Sequence, residues 1–290
     1  MTERQVKLAV LGVGAMGTGM ADSAIRAGIP LVVWNREPTA TIPFKDRGVE
    51  VAKSVPAAVA EADVAITMVT NAQAVHSIAD EQGLVTALRP GAVWAQMSTI
   101  GVEGTERVAA LMKERRPDAH FVDAPVSGST VPAEQGALVI FASGPDEARP
   151  KVTPIFEAIG RRTIWLGPAG NGSRMKLVNN VLLAFTAEGV ANSFALADHL
   201  GIDRNSVIDA FDGGPLVSQW ESGKFQRIAK DDFSPEFPLG LALKDVDLAL
   251  AEGDEERFSV LAALSKEWTE IAEQGLGTED ITVVTKVLAG

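Results

Sequence analysis

Short apolar runs alternate with helix-like patterns over the first 167 positions. The first run, Leu8–Leu11, is long enough for one buried strand, and apolar residues then recur at helical spacing up to Ala27. Further apolar runs that predict strands lie at residues 29–34, 64–69, 92–97, 120–123, 137–142 and 163–166. The clearest helical patterns between them cover residues 102–115 and 145–159. This alternation predicts an α/β fold with a doubly wound, mostly parallel sheet that is covered on both faces.

The pattern changes at the Gly/Pro-rich segment 167–172. Beyond it no run predicts a strand, and helical patterns cover residues 173–200, 203–211, 217–229, 239–251, 256–274 and 279–288. We therefore predict one domain over residues 1–167 and an all-α domain over residues 168–290, entered by a long interdomain helix. That helix is too apolar for the surface of a monomer, so we expect it at the centre of the second domain or between subunits.

The composition of the chain excludes several kinds of chemistry. The 290 residues include no cysteine and no tyrosine, which excludes thiol nucleophiles, cysteine-ligated zinc and a tyrosine general acid. The only histidines, His76, His120 and His199, are interpreted as structural or helix-capping residues, and no metal site is predicted. Proton transfer is then left to lysine and carboxylates.

The charge and the apolar runs limit the partners. A formal net charge of −12 argues against nucleic acid or an anionic membrane as the main partner. No uninterrupted apolar run reaches the roughly 20 residues of a membrane span, and no secretory pattern opens the chain. We therefore expect a cytoplasmic protein.

A glycine motif follows the first predicted strand. Gly12, Gly14 and Gly17 form G-x-G-x-x-G between strand and helix, which is the context that makes this motif informative. Gly12 allows a tight turn, Gly14 lets the backbone approach a pyrophosphate, and Gly17 lets helix pack on strand. The first helical turn, with Ala15 and Met16, offers N–H groups to the phosphates. The motif predicts dinucleotide binding.

The end of the second predicted strand bears on which dinucleotide is bound. An NAD site has an acidic residue near this point, but here Asn35 and Arg36 follow the strand. Arginine can pair with a 2′-phosphate, so we expect NADP, with NAD less favoured. The neighbouring Glu37 weakens the positive charge, and a solvated arginine in a turn is the alternative interpretation.

Polar residues follow three of the predicted strands. The segments are 68–71, 97–99 and 123–129. Because ligands of such sheets bind beyond the carboxyl ends of the strands, we expect functional groups there.

Lys176 is the candidate acid–base group. It lies in the first turns of the long helix and is four residues before Asn180, so the two share a face. The positive end of the helix dipole disfavours its ammonium form. A lysine on an apolar helix is also often a snorkelling surface residue. With no tyrosine and no well-placed histidine, however, the chain contains no better proton donor.

The chain resembles the β-hydroxyacid dehydrogenase family, of which 3-hydroxyisobutyrate dehydrogenase is the best-known member, over essentially its whole length. The resemblance rests on the motifs Gly12–Gly17, Asp123–Gly128, Gly170–Asn180 and Lys244-Asp245. It implies a Rossmann-type domain followed by a helical substrate domain. It also implies the NAD(P)-dependent interconversion of a small carboxylate-bearing aldehyde or ketone and its hydroxy acid.

The resemblance also implies roles for the substrate residues. Lys176 would be the general acid in reduction and the base in oxidation. Ser127, Gly128 and Asn180 would hold the carboxylate and carbonyl of the substrate. Ser129 stands where the family usually has a second glycine, and its side chain would narrow the site or add a hydroxyl contact.

Other positions are implied to border the cofactor or close the cleft. Thr99, Met68 and Val69 would lie along the cofactor. Lys244 and Asp245 would close the cleft from the helical domain, with Lys244 also near the cofactor, and Phe237 would pack at the active site.

Two other function classes stay open. Imine reductases share the architecture but as a group have Asp or Tyr at the Lys176 position, and a non-catalytic NADP-binding sensor or scaffold would need only the glycine motif. The sequence does not choose among methylmalonate semialdehyde, succinic semialdehyde, glyoxylate and tartronate semialdehyde, nor the direction of reaction. A homo-oligomer, dimer or tetramer, is expected.

Overall fold

The structure, a computed structural model, describes residues 5–288. Its contacts divide the chain into two compact units, one ending at Lys176 and the other beginning at Leu177. The strands are β1 Leu8–Leu11, β2 Leu31–Trp34, β3 Glu50–Val51, β4 Val64–Thr67, β5 Val93–Gln96, β6 His120–Asp123, β7 Val126–Ser127, β8 Leu138–Ala142 and β9 Gly160–Trp165. The helices of the first unit are α1 Ala15–Arg26, α2 Ile42–Asp46, α3 Val55–Val59, α4 Ala72–Ala79, α5 Leu84–Ala87, α6 Gly101–Arg115, α7 Thr130–Glu134 and α8 Arg149–Ile159. Then follow α9 Asn171–His199, α10 Arg204–Phe211, α11 Gln219–Ala229, α12 Leu239–Ala251, α13 Ser259–Ile271 and α14 Val284–Leu288.

Six parallel strands form the main sheet of the first unit, in the order β3-β2-β1-β4-β5-β6. In the central strand β1, Leu8 pairs with Leu31 of β2 on one side and with Val64 of β4 on the other. This is the strand order of the Rossmann fold, whose ligands bind where the order reverses, beside β1. The predicted doubly wound sheet is confirmed.

Both faces of this sheet are buried. Along β1, Leu8 and Val10 belong to one apolar cluster, and Ala9 and Leu11 belong to a second. Alternate residues of a strand point to opposite faces, so the two clusters are the two layers between sheet and helices. Burial on both faces explains why the sequences of these strands are continuous apolar runs.

A second sheet of three strands completes the unit, with β7 antiparallel and β9 parallel to β8. The sequence analysis missed β3, β7 and α7. The two strands have two residues each, and α7 contains Pro132 within five residues, so none carries a readable periodicity. Other bounds shifted: β9 begins at Gly160 instead of residue 163, and a 3-10 turn, Asp146–Ala148, precedes α8.

The second unit is helical, as predicted. Within residues 177–288 the structure has no strand, only an isolated bridge between Pro238 and Asp280. The predicted helix over 256–274 begins at Ser259 and ends in a π-helical turn, Ala272–Leu276, where Gly275 has φ +89°. The predicted helix over 279–288 is a 3-10 turn, Ile281–Val283, followed by α14.

The 29-residue helix α9 runs from the first unit into the second. One face is buried in the second unit's core and includes Ala184, Ala191 and Phe194. By length and composition α9 could also cross a bilayer, a test that the core helices of soluble proteins pass too. Its buried face is accounted for by the core of the second unit. The predicted domain boundary at residues 167–168 stays a prediction.

Candidate functional site

The glycine turn between β1 and α1 has no room for side chains at two of its glycines. Gly12 has φ +100°, and a Cβ there would meet the Met68 carbonyl and, at 2.7 Å, Val69 Cγ1. A Cβ at Gly17 would collide with the Gly12 carbonyl. The glycines therefore let α1 and the loop after β4 pack directly on the turn, in agreement with the backbone roles expected for Gly12 and Gly17. The half-buried Met68 and Val69 lie against this turn.

Gly14 differs, because space lies open beside it. A Cβ at this position would have no atom within 4 Å, and Gly14 and Ala15 are exposed while Met16 is half-buried. Gly14 is the N-cap of α1 and no side chain caps the helix. Uncapped backbone N–H groups at a helix N-terminus suit an anionic group, so this open cradle fits the pyrophosphate of a dinucleotide.

Asn35 braces the glycine turn. Its Oδ1 accepts a hydrogen bond from Val13 N at 3.1 Å, and its Nδ2 donates to the Glu37 carbonyl at 3.0 Å. The next side chain, Arg36, is 81% exposed, and its Nε lies 3.9 Å from Glu37 Oε1. An ion pair this exposed is weak, so the Arg36 guanidinium is available to an external phosphate.

The loops after β4 and β5 are tied together. Val69 N donates to Ser98 Oγ at 2.8 Å, and the Gln96 side chain bonds both N and O of Ser98. These bonds hold the segment that carries Met68 and Val69 beside the one that carries the half-buried Thr99.

The predicted carboxylate loop, Ser127–Ser129, is shaped by its glycine. Gly128 has φ +127°, and a Cβ there would lie 2.9 Å from Leu138 Cδ2 and 3.1 Å from Pro132 Cβ. Ser129 has φ −95°, which any residue adopts, so serine replaces the family's glycine without strain. Ser127 and Ser129 are half-buried, and within residues 5–288 neither hydroxyl has a hydrogen-bond partner. Both hydroxyls can therefore serve a ligand.

Asp123, at the carboxyl end of β6, holds the beginning of α9. Its fully buried carboxyl accepts a hydrogen bond from Ser173 N at 2.7 Å and is joined to Ser173 Oγ at 2.7 Å and to Ser143 Oγ at 3.2 Å. Gly172 N donates to the same Ser143 hydroxyl at 2.9 Å. Burial raises the pKa of the Asp123 carboxyl, against the opposing effect of bonds from Ser173, Ser143 and Gly170. The first turn of α9 is thus fixed to the sheet.

Lys176 lies half-buried on α9, three residues after Ser173 and four before Asn180. It is the last residue of the first unit. The hydrogen bonds that fix Ser173 therefore act one helical turn from the lysine.

In the second unit the structure brings together Asn180, Asp245 and Lys244. Asn180 Nδ2 donates to Asp245 Oδ2, and Lys244 Nζ lies 2.5 Å from Asp245 Oδ1. Asn180 Oδ1 accepts from Asn179 Nδ2 at 2.9 Å. Asp245 and Asn180 are both buried. The three predicted site residues on α9 and α12 therefore form one hydrogen-bonded chain.

Phe237 lies in the segment that leads into α12 and packs against the core of the second unit. Its backbone N donates to Asp280 Oδ2 at 3.3 Å. The buried Asp280 carboxylate also binds Glu236 N and, at 3.0 Å from both oxygens, Lys224 Nζ. Burial acts to raise the pKa of Asp280, but Lys224 and the hydrogen bonds outweigh it and hold the pKa below its usual value.

Sequence reasoning placed Asp123 in a segment expected to be functional but missed its bonds to the start of α9, and it missed the group around Asp280. Asp123 had a signal, because it is a carboxylate directly at a strand end within the family motif. Ser173 and Lys224 had none, because a serine near a helix start and a lysine at one helical position are ordinary.

An open glycine cradle on a six-stranded parallel sheet with the Rossmann strand order defines a dinucleotide-binding protein. The family profile described as the NAD-binding domain of 6-phosphogluconate dehydrogenase matches residues 7–167. The profile described as NAD-binding of NADP-dependent 3-hydroxyisobutyrate dehydrogenase matches residues 170–288. The chain belongs to this β-hydroxyacid dehydrogenase family, and it is an NAD(P)-dependent oxidoreductase acting on CH–OH groups. The predicted cofactor class is confirmed.

Several characterised proteins resemble the whole chain. Glyoxylate/succinic semialdehyde reductase 1 of Arabidopsis thaliana is 30% identical over 98% of this chain and 98% of its own. The structure of 3-hydroxyisobutyrate dehydrogenase from Mycobacterium tuberculosis, with L-serine, is 28% identical, covers 99% of this chain and 100% of its own, and has a TM-score of 0.85. A reductive aminase from Aspergillus terreus, in complex with NADPH and ethyl levulinate, is 22% identical over 98% of this chain and 99% of its own, with a TM-score of 0.63. At that identity the aminase shows a shared fold alone.

Proposed function

We propose that the chain reduces a small aldehyde or ketone bearing a carboxylate to the hydroxy acid, or catalyses the reverse oxidation, with NADPH and with Lys176 as general acid and base. The observation that carries the proposal is the place of Lys176, one turn from a helix start that is fixed to the carboxyl end of β6. The name of the Arabidopsis relative, a glyoxylate and succinic semialdehyde reductase, supports this substrate class.

The open cradle at Gly14 and the exposed Arg36 are the groups that would hold the pyrophosphate and the 2′-phosphate. When bound, the nicotinamide supplies the hydride to the carbonyl carbon. The Lys176 ammonium then gives a proton to the carbonyl oxygen and stabilises the negative charge that develops there. In the reverse direction the neutral amine accepts the alcohol proton.

Three groups are suited to the carboxylate and carbonyl of the substrate. The Ser127 hydroxyl, without a partner among the described residues, and the exposed Gly128 backbone can donate to an anion. The Asn180 amide gives one hydrogen to Asp245, which leaves its second N–H for a ligand. The Ser129 hydroxyl adds a further donor where the family has glycine.

We also propose a homo-oligomer that buries the exposed face of α9. Exposed apolar residues at helical spacing form a stripe on this face: Val178, Leu182, Phe185 and Leu196, with Leu200 directly after the helix. A second copy of the chain would cover it, since large exposed apolar patches mark interaction surfaces. A cytoplasmic location stays a prediction.

The test is NADPH oxidation with glyoxylate, succinic semialdehyde, methylmalonate semialdehyde and tartronate semialdehyde, for wild type and Lys176→Ala. We expect the variant to lose at least about three decades in kcat, since general acid–base catalysis contributes about 10²–10⁴-fold. Its NADPH affinity should stay near normal. Lys176→Arg should not restore activity, because guanidinium remains protonated near neutral pH.

Lys113→Ala, which removes an exposed lysine from α6, is the matched control and should keep wild-type activity. A Lys176→Ala variant with more than a tenth of wild-type kcat would refute the role of the lysine. Turnover of cyclic imines but of no aldehyde would favour the imine reductase alternative. NADPH binding with no turnover on either panel would favour the sensor or scaffold.

A further inference from the structure

Three buried polar side chains link β6 to the helices α9 and α6. Asp123 Oδ1 lies 2.7 Å from Ser173 Oγ, and Ser173 Oγ lies 2.8 Å from Thr105 Oγ1. Thr105 Oγ1 lies 2.8 Å from the Gly101 carbonyl. Asp123, Ser173 and Thr105 are each at most 3% exposed. We call this series of contacts the Asp123–Gly101 chain.

The number of hydrogen atoms available to these contacts constrains the protonation state of the Asp123 carboxyl. The Gly101 carbonyl can only accept, so the Thr105 hydroxyl donates to it. The Ser173 hydroxyl must then donate to Thr105 Oγ1 to satisfy the second contact. The two hydroxyls have no further hydrogen, so if all three contacts are hydrogen bonds, the one between Ser173 and Asp123 takes its hydrogen from the carboxyl.

The hydrogen bonds of the other carboxyl oxygen, Oδ2, are consistent with a protonated Asp123. Asp123 Oδ2 accepts from Ser173 N at 2.7 Å and from Ser143 Oγ at 3.2 Å, which is the pattern of a carbonyl oxygen. Oδ1 lies 2.7 Å from the Ser173 hydroxyl, a distance that an acid O–H donating to a hydroxyl would have. Complete burial also favours the neutral form over the charged one.

The main chain at both ends of the contact is fixed as well. Asp123 and Ser143 form an isolated antiparallel bridge, with N–H···O distances of 2.9 and 2.8 Å. A Cβ on Gly172 would lie 2.8 Å from the Asp123 carbonyl and would meet that of Phe141. The beginning of α9 therefore rests directly on the backbone after β6, with little freedom to shift.

We propose that Asp123, in its neutral hydrogen-donating form, is a positioning residue that sets the place of Lys176 through Ser173. Ser173 and Lys176 are three residues apart on α9, so a shift of the first turn moves the lysine with it. The proposal rests on the proposed function, because it assigns Asp123 its role through the Lys176 general acid.

The test compares Asp123→Asn with Asp123→Ala. Asparagine keeps the neutral state, an oxygen that accepts from Ser173 N, and an amide N–H that donates to Ser173 Oγ. Alanine removes all of these bonds. We expect Asp123→Ala to lose about ten- to hundredfold in kcat, as a displacement of about 1 Å costs up to about 10²-fold, with NADPH Kd within about twofold of wild type. Asp123→Asn should keep at least about half of wild-type kcat.

A second measurement, which does not depend on turnover, accompanies the kinetics. Hydrogen exchange of the amides over residues 171–180 should be faster in Asp123→Ala and near wild type in Asp123→Asn. Ser173→Ala is a second variant in case Asp123→Ala does not fold, and it should show a smaller change of the same kind. Thr153→Ala is the control: it removes an exposed hydroxyl that donates to the Arg149 carbonyl within α8. It should leave kcat and the hydrogen exchange of residues 171–180 unchanged.

The outcomes separate the positioning role of Asp123 from the proposed function. Wild-type kcat and exchange in Asp123→Ala would overturn the positioning role. A kcat as low in Asp123→Asn as in Asp123→Ala would overturn the neutral, hydrogen-donating form of Asp123. Asparagine can replace a protonated carboxyl, which donates a hydrogen, but it cannot replace an ionised carboxylate, which only accepts. An active Lys176→Ala variant would refute the proposed function, and the role in catalysis with it, whatever the exchange data show for the hold of Asp123 on α9.

Discussion

Arg36 follows β2 with its side chain 81% exposed, and its Nε lies 3.9 Å from the exposed Glu37 carboxylate. Asn35, where an NAD site has a carboxylate, is engaged with Val13 N and the Glu37 carbonyl instead. No acidic side chain at position 35 therefore repels a 2′-phosphate, and the arginine beside it can bind one. We therefore expect the Arg36 side chain to decide between NADPH and NADH.

We expect wild type to prefer NADPH to NADH and Arg36→Ala to lose that preference. Loss of a charge-assisted phosphate contact should raise the KM for NADPH about 10- to 100-fold and leave the KM for NADH within about twofold. Steady-state kinetics with both cofactors measure the ratio. Arg107→Ala, which removes an exposed arginine of α6, is the control. A wild type that prefers NADH, or an unchanged ratio in Arg36→Ala, would contradict the assignment.

At single positions, the sequence predicted the backbone roles of Gly12 and Gly17, because the glycine spacing between a strand and a helix indicates them without further context. It did not predict that Asn35 braces Val13, a bond between residues that are 22 positions apart. Nor did it predict the bond from Ser173 to Asp123, which are 50 positions apart. Such contacts depend on tertiary packing, which no local pattern encodes.

Among the elements, the segment before α12 depends on one buried ion pair. Lys224 of α11 is 2% exposed and bonds Asp280, whose carboxylate also holds the backbone at Glu236 and Phe237. The same lysine reaches the half-exposed Glu236 at 2.7 Å. This arrangement joins α11, the segment with Phe237 and the turn before α14.

We expect Asp280→Ala to lower the free energy of unfolding by about 3 kcal/mol, because it leaves Lys224 buried without its main partner. The pKa of Asp280 lies below its usual value, so its stabilisation is complete above about pH 4, where an unfolded aspartate is ionised, and is lost as the pH falls through the lowered value. Urea unfolding at pH 7 and at lower pH measures the loss of stability in the variant and its dependence on pH. The difference between wild type and variant should shrink in acid.

Asp209→Ala, at an exposed position of α10, is the control and should change stability by less than about 0.5 kcal/mol. An equal loss in both variants, or no loss in Asp280→Ala, would show that the buried pair does not stabilise this part of the fold.

The exposed apolar stripe of α9 leads to a prediction of assembly. Leu182 is 69% exposed, the most of the residues in the stripe. Leu182→Asp should convert the oligomer to a monomer at micromolar concentration, because a desolvated charge would oppose burial of the stripe. Light scattering with size-exclusion chromatography measures the mass. Val260→Asp, on the equally exposed Val260 of α13, should leave the assembly intact, and a monomeric wild type would count decisively against the proposal.

The long elements could be predicted and the short ones could not. β1, β6 and α12 have the predicted bounds, because a buried strand or an amphipathic helix of several turns repeats its signal. β3 and β7, with two residues each, exist through pairing with neighbours and have no signal of their own. The break of α13 at Gly275 similarly arises from a left-handed residue inside an otherwise helical pattern.

At the scale of the molecule, a formal net charge of −12 repels both an anionic cofactor and a carboxylate substrate. Binding of an anion then requires local donors that outweigh the field, which the uncapped α1 N-terminus, Arg36 and the Ser127–Ser129 hydroxyls can supply. The overall field alone would favour an uncharged ester over the corresponding acid. The comparison of acid and ester therefore decides which of the two effects controls the site.

We expect the acid to be the better substrate. Methyl esterification of glyoxylate or succinic semialdehyde should lower kcat/KM by about two decades, since the donors at the site would lose a charged hydrogen-bond partner. Initial rates of NADPH oxidation at matched concentrations and constant ionic strength measure the ratio. Ser127→Ala should reduce the preference for the acid, while the matched loss of an exposed hydroxyl in Thr153→Ala should leave it unchanged. Equal rates on acid and ester would remove the carboxylate site from the proposal, and faster turnover of the ester would show that the net charge dominates.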